Sequence, residues 1–241
     1  MAEELRRRIL SHELADGSML PRQEDLLAEF AVSVPSLREA MRILETEGFL
    51  TVRRGSIGGA VVHLPKPVDA AYTFGLVLES QHVGLDDVMA ALQWLEPVCA
   101  ASCATRRDRR REVVPELRAA IRDSVAVLDD PVGYGQAARS FHDAIVANCG
   151  NHTVQLMVGA LESLWKAQVR ELRTEGESGV LPERSMREAS VDVHRQLVAV
   201  IEKGDVPAAE ALARDHFSNR SIQQVYAGQG LLVRAALLRD R

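Results

Sequence analysis

The sequence predicts a mainly α-helical protein in two parts, an N-terminal winged helix-turn-helix followed by an all-helical antiparallel bundle. Three observations carry this. Apolar residues make up 46% of the 241 positions while aromatics make up only 4%, with Ala, Leu, Val, Arg and Glu dominant, a bias that favours helix over sheet. Helical spacing gives way to short β-type runs once, just after Gly48. A proline-bearing stretch, PKPVD at 65–69, then separates that region from a long series of helical segments.

The elements follow in order. Residues 3–12 read as a helix with Leu5, Ile9 and Leu10 on one side, broken by ADGSMLP. PRQEDLLAEF is a second helix whose apolar face is Leu26, Leu27 and Phe30. PSLREAMRILETEG is a third, with Ser33 as N-cap, Pro35 at an early position and Gly48 as its stop. FLTVRR and AVVHL flank the glycines of GSIGG as a hairpin. Three helices and a hairpin within 1–64 make a winged helix-turn-helix order. After the linker at 65–69, segments near 70–79, 85–106, 110–128, 133–148, 152–174, 183–203 and 206–226 keep 3.6-residue spacing. Gly84, Pro131, Gly150-Asn151, EGESGVLP and Gly204-Asp205 punctuate them, giving a bundle over 70–228 and a tail at 229–241.

Charge and cysteines set bounds. The net charge is −5, and residues 1–64 hold eight arginines against ten carboxylates, so any anionic partner must be met by a few placed arginines and by helix N-termini. Cys99, Cys103 and Cys149 form neither a disulfide framework nor a zinc-finger spacing and read as small buried side chains. The N-terminus enters the charged run EELRRRIL without an apolar leader, and no apolar run approaches the ~20 residues of a membrane span. A cytoplasmic protein without membrane contact is expected.

The stretch LPRQEDLLAEFAVSVPSLREAMRILETEGFLTVRRGSIGGAVV resembles the winged-helix domain of GntR-type regulators at Leu20-Pro21, Val32-Ser33, Arg38-Glu39-Ala40, Leu44, Glu47-Gly48 and Arg54-Gly55. The resemblance implies binding to double-stranded DNA, with the third helix in the major groove. Arg38, one turn into that helix, is placed to fork onto a guanine or clamp a phosphate. Its i−4, i+3 and i+4 neighbours are Val34, Met41 and Arg42, which offer no carboxylate. Ser33 and Ser36 suit phosphate contacts. Arg53 and Arg54 stand at the wing base, with Gly58 and Gly59 letting its tip approach closely. Two departures bear on the operator: Val34 replaces the arginine common after Val-Ser, and Arg22 follows Leu-Pro in place of the usual serine.

Residues 70–228 resemble the FCD domain of the FadR-like branch through LEPVCAASCATRR, SFHDAIVANCGN and VHRQLVAVIEKGDVPAAEALARDHF. The resemblance implies an effector-binding and dimerising bundle with a divalent-metal site of one Asp and three His. The histidines map onto His142, His194 and His216, but the Asp position is Ala138, and an arginine that often meets an anionic ligand maps onto Leu92. Two readings stay open: a three-histidine site for zinc or nickel with an open position, or a polar cluster held by water and neighbours. The expected function is a ligand-responsive regulator, a repressor, acting as a homodimer on a near-palindromic operator, its effector a carboxylic acid or acyl compound. The alternatives are a constitutive DNA-binding protein and a metal-dependent enzyme. Against the enzyme, no acid, base or nucleophile accompanies the histidines in a recognisable motif.

Overall fold

In the computed structural model the chain forms two compact units, residues 1–66 and 67–241. The structure describes residues 1–53, 59–174, 183–218 and 230–238. The first unit holds α1 (Ala2–Leu10), α2 (Gln23–Phe30), α3 (Val34–Thr46) and a hairpin of β1 (Leu50–Arg53) and β2 (Gly59–Val62). Leu5 and Ile9 of α1, Leu26 of α2, Leu37 and Leu44 of α3, and Leu50 and Val62 of the hairpin share one core. The side chain of Ser33 caps α3 by accepting the Ser36 N–H at 3.4 Å, and Pro35 sits in the first turn, where a missing N–H costs nothing. The turn between α2 and α3 is tight because Ala31 takes a left-handed conformation, φ 49°, which residues with a Cβ rarely adopt.

The hairpin pairs Leu50 with Val62 and Arg53 with Gly59. Met19 adds a bridge to Val61, and the Leu20 N–H donates to the Ala60 carbonyl at 2.8 Å. The segment ADGSMLP, read as a helix breaker, therefore also lends a short edge to the sheet.

The second unit is α4 (Pro67–Ser80), α5 (Leu85–Thr105), α6 (Val113–Ala126), α7 (Pro131–Ala147), α8 (His152–Thr174), α9 (Arg184–Lys203), α10 (Val206–Ser218) and a 3-10 turn at Ala235–Leu238. One core joins them, with Phe141, Leu117, Ile145, Leu164, Leu197 and Phe217 among its fully buried members. Asp130 caps α7 by accepting the Val132 N–H at 3.0 Å, and Gly204 ends α9 at φ 80°.

Two sequence boundaries differ from the structure. Pro67 opens α4, so residues 67–69 of the expected linker are the first helical turn, which tolerates a proline. Residues 230–238 of the expected tail pack into the bundle. The Leu85 N–H donates to the Leu231 carbonyl at 2.8 Å, the Val233 N–H to Val83 at 3.0 Å, and Val233, Ala235, Leu237 and Leu238 are buried. Of the expected helix at 206–226, residues 219–226 lie outside the described residues.

Helix α9 is tied at both ends to segments flanking α6. At its C-terminal end Arg109 Nε and Nη2 donate to the carbonyls of Glu202 and Lys203, both at 3.2 Å, and Arg110 Nε donates to Glu202 at 3.3 Å. These cations meet the negative end of the helix dipole. At its N-terminal end Arg187 Nε donates to the Leu128 carbonyl at 2.8 Å, and the Tyr134 hydroxyl donates to the Arg187 carbonyl at 3.0 Å.

Candidate nucleic-acid interface and histidine centre

Ion pairing sorts the arginines of the first unit. Arg6 forks onto Glu47, its Nε 3.0 Å and Nη2 2.9 Å from the carboxylate oxygens. Arg7 is held by Glu4 and Glu13, Arg8 by Glu4 and Glu29, and Arg42 by Glu39. These four tie α1 to α2 and α3 or brace a single helix. Arg22, Arg38 and Arg53 are exposed, and their side chains make no ion pair or hydrogen bond among the described residues. Among its described residues this overall acidic unit thus keeps three arginines that no carboxylate engages.

Arg38 stands on the exposed side of α3 near its N-terminus, one turn from the capping Ser33 and beside the exposed Ser36. The first turns of α1 and α2 carry two acidic residues each, whereas that of α3 carries none. The positive end of the α3 dipole is therefore left for an outside anion. Arg22 is the N-cap residue of α2, and Arg53 ends β1. Arg54 and Gly58 lie outside the described residues. Gly59 pairs with Arg53, and a Cβ there would meet only the flexible end of the exposed Met19 side chain.

In the bundle, α7, α9 and α10 bring His142, His194 and His216 together, with one ring nitrogen from each within 4.8 Å of the others. His142 and His194 are buried and His216 is half-buried. His194 Nε2 and His216 Nε2 are 3.0 Å apart, so one ring donates to the other. Phe141 stacks on His194 with centroids 4.0 Å apart, and Phe217 lies 4.8 Å from His142. Ala138 is one helical turn before His142 on α7, packed against the core, and Leu92 of α5 is buried in that core. Neither brings a polar group to the histidines.

A carboxylate does reach them from elsewhere. Glu96 of α5 is buried, and its Oε2 lies 3.2 Å from His142 Nδ1. The sequence held a signal for it: Glu96 is the lone carboxylate in the apolar run ALQWLEPVCAASCA. Read only as part of a family mark, it was not assigned to the site. Glu96 thus stands beside one ring nitrogen of His142, a placement that suits orienting the ring rather than standing in for the carboxylate absent at Ala138.

Behind Glu96 lies Glu162 of α8. Burial, then the nearby Glu96 charge, push its carboxyl up to about 9, while Lys166, 3.7 Å away, opposes the shift and Asp143 adds to it. A carboxyl raised in the fold gives stability that is complete below about pH 4.5 and declines as pH climbs toward about 9. Urea melts of metal-stripped protein are expected to show that decline, and Glu162→Gln is expected to flatten it. Parallel curves for the two proteins would mean that Glu162 titrates as an ordinary carboxylate.

Cys99, Cys103 and Cys149 are all buried between α5 and the end of α7. Burial pushes the Cys103 thiol up to about 12, and burial and Cys149 push Cys99 higher still. Thiols held protonated in this way are poor nucleophiles. No helix of the described residues is long and apolar enough to cross a membrane.

Comparison with known proteins agrees with this architecture. Residues 1–61 match the family model described as bacterial regulatory proteins, gntR family, and residues 87–219 match the FCD domain. The chain is 24% identical over 235 residues to the HTH-type transcriptional regulator Mce2R of Mycobacterium tuberculosis, spanning 94% of this chain and 92% of that protein. Over 53 residues, 22% of this chain and 20% of the other, it is 40% identical to the HTH-type transcriptional repressor NanR of Salmonella newport. Among solved structures it is similar to a Streptococcus agalactiae GntR protein, with a TM-score of 0.66 at 21% identity, covering 92% of this chain and 97% of that one.

Proposed function

Because the chain belongs to the GntR family of bacterial DNA-binding transcriptional regulators and carries an FCD domain, we propose that it is a ligand-responsive repressor, dimeric on a near-palindromic operator, whose effector site is the histidine centre. Its family and relatives are transcriptional regulators rather than enzymes. The observation that carries the DNA half is Arg38, exposed and uncommitted at the start of a helix whose first turn holds no carboxylate. In this reading α3 enters the major groove, Arg38 reads a base edge, and Arg22, Ser33, Ser36 and Arg53 hold phosphates.

The donor set at His142, His194 and His216 fits a divalent cation such as zinc or nickel, since all three donors are imidazoles and stand close enough to converge. A bound cation supplies a fixed positive charge and an open position for an anionic oxygen, which suits a carboxylate effector. For both Nε2 atoms of the His194–His216 pair to present lone pairs, the donating ring has to move its proton to Nδ1. Glu96 Oε2, 3.2 Å from His142 Nδ1, is placed to orient that ring. Three helices meet at these rings, so an occupant would fix their relative positions.

Support for the dimer is apolar surface. Trp94 is 70% exposed on α5 beside Val98 one turn on, and Leu156 and Met157 are exposed on α8, which packs against α5. Large exposed apolar side chains of this kind mark interaction surfaces. Trp94→Asp is expected to convert a dimer to a monomer in sedimentation velocity at micromolar concentration. A wild-type monomer, or a variant that stays dimeric, would remove this face from the assembly. The function as a whole is tested by selecting duplexes from a random pool and measuring their affinity with and without zinc. Two inverted half-sites and a zinc- or ligand-dependent affinity are expected; recovery of no preferred sequence would overturn it.

A further inference from the structure

We propose a second ligand site, separate from the histidine centre, in the groove between α6 and α9, and assign it to a small amphipathic anion. The groove has a volume of about 650 Å³. That lies within the ~300–1,000 Å³ range usual for small-molecule sites. Its floor is apolar, with Ile121 and Val125 from α6 and Val198 from α9, and three arginines stand around it, Arg118 and Arg122 from α6 and Arg195 from α9.

The charges select the occupant. Arg118 and Arg122 are one helical turn apart on the same face, a like-charge spacing that disfavours the helix, and Arg195 adds a third cation from the other wall. Arg118 is offset by Glu202 at 2.8 Å and Arg195 by Asp192 at 2.8 Å. Arg122 is exposed, and its side chain has no ion pair or hydrogen bond among the described residues. Val125, one turn from Ile121, remains 40% exposed over the floor. An oxyanion head meeting Arg122, with an apolar body lying on Ile121, Val125 and Val198, satisfies both features together. A cationic or wholly polar molecule satisfies at most one of them.

The site is independent of the histidines in its side chains but shares α9 with them, since Arg195 follows His194 in the chain. The test uses two probes with the same apolar body. 1-Anilinonaphthalene-8-sulfonate carries an anionic group, and N-phenyl-1-naphthylamine lacks it. Both are titrated by fluorescence into the full chain treated with EDTA. Arg122→Glu is expected to weaken the sulfonate probe by about tenfold or more and to leave the neutral probe within about twofold. The same charge reversal at Arg111, outside the groove, is expected to leave both unchanged. Arg122 is exposed, so the fold survives either change. Three results would overturn the proposal. The sulfonate probe could bind Arg122→Glu as it binds the wild type. Both probes could weaken equally, leaving the anionic group no part in the binding. Or Arg122→Glu could change the sedimentation coefficient rather than probe affinity, in which case a second copy of the chain covers the groove.

Discussion

Zinc at about a hundredfold excess over its dissociation constant is expected to stabilise the metal-stripped protein by about 2.7 kcal/mol, a rise in melting temperature of about 5–11 °C for a chain of this size. In His194→Ala that rise is expected to vanish. The reason is geometric: His194 is fully buried between Phe141 and His216, and its loss leaves two imidazoles, too few to hold the ion against water. The truncation also opens a cavity, so each protein is compared with itself, with and without zinc, rather than with the other. Ala138→Asp is the converse change. An aspartate one turn before His142 adds an anionic oxygen to the centre, and zinc affinity should increase. A wild-type protein with no zinc response, or a His194→Ala protein with the same response as wild type, would leave the histidines as a polar cluster only.

The second large effect is on DNA. Arg38→Ala is expected to weaken binding to the selected operator by about 1–3 kcal/mol, roughly 5- to 150-fold, while binding to unrelated duplex changes much less. Arg42 is the internal control. It lies one turn further along α3 but is engaged by Glu39, with its Nε 3.0 Å from the carboxylate. Arg42→Ala should therefore cost little. Fluorescence anisotropy at fixed salt measures both, and salt must be fixed because phosphate contacts alone make affinity steeply ionic-strength dependent. Equal losses for the two variants, or none for Arg38→Ala, would mean that α3 does not read bases through this residue.

Much of this architecture was legible in the sequence because its signals are local. Ser33 and Pro35 mark a helix start whatever surrounds them, and the glycines of GSIGG mark a hairpin. The three histidines were legible through resemblance rather than spacing, since they sit on helices far apart in the chain. What escaped depends on packing. Residues 230–238 form no regular element of length, and only tertiary partners, the edge offered by Val83 and Leu85 with Glu79 of α4 and Gln168 of α8, turn them from a tail into part of the bundle. Glu96 is an acidic residue on an apolar helix, and nothing local says that it will meet His142. Likewise, EELRRRIL reads only as a charged run, and nothing local says that Glu29 and Glu47 will arrive from other helices to engage its arginines. Arg38, which the sequence already shows without a carboxylate one turn away, stays unengaged in the fold among the described residues.

The double mooring of α9 has a mechanical consequence. A helix of 20 residues, about 30 Å long, is clamped near Arg187 and again at Glu202 to chain segments that begin and end α6. Neither helix is then able to slide or swing without the other, and the two act as one stiff plank. The space between them is rigid before anything enters it, so a molecule settling there loses its own freedom but need not also freeze the walls. A molecule held at His194 is expected to act on the plank as a whole. That action passes on through the contacts of α6 with α7 and of α9 with α10, as a tilt of one slab against its neighbours rather than a bend within it.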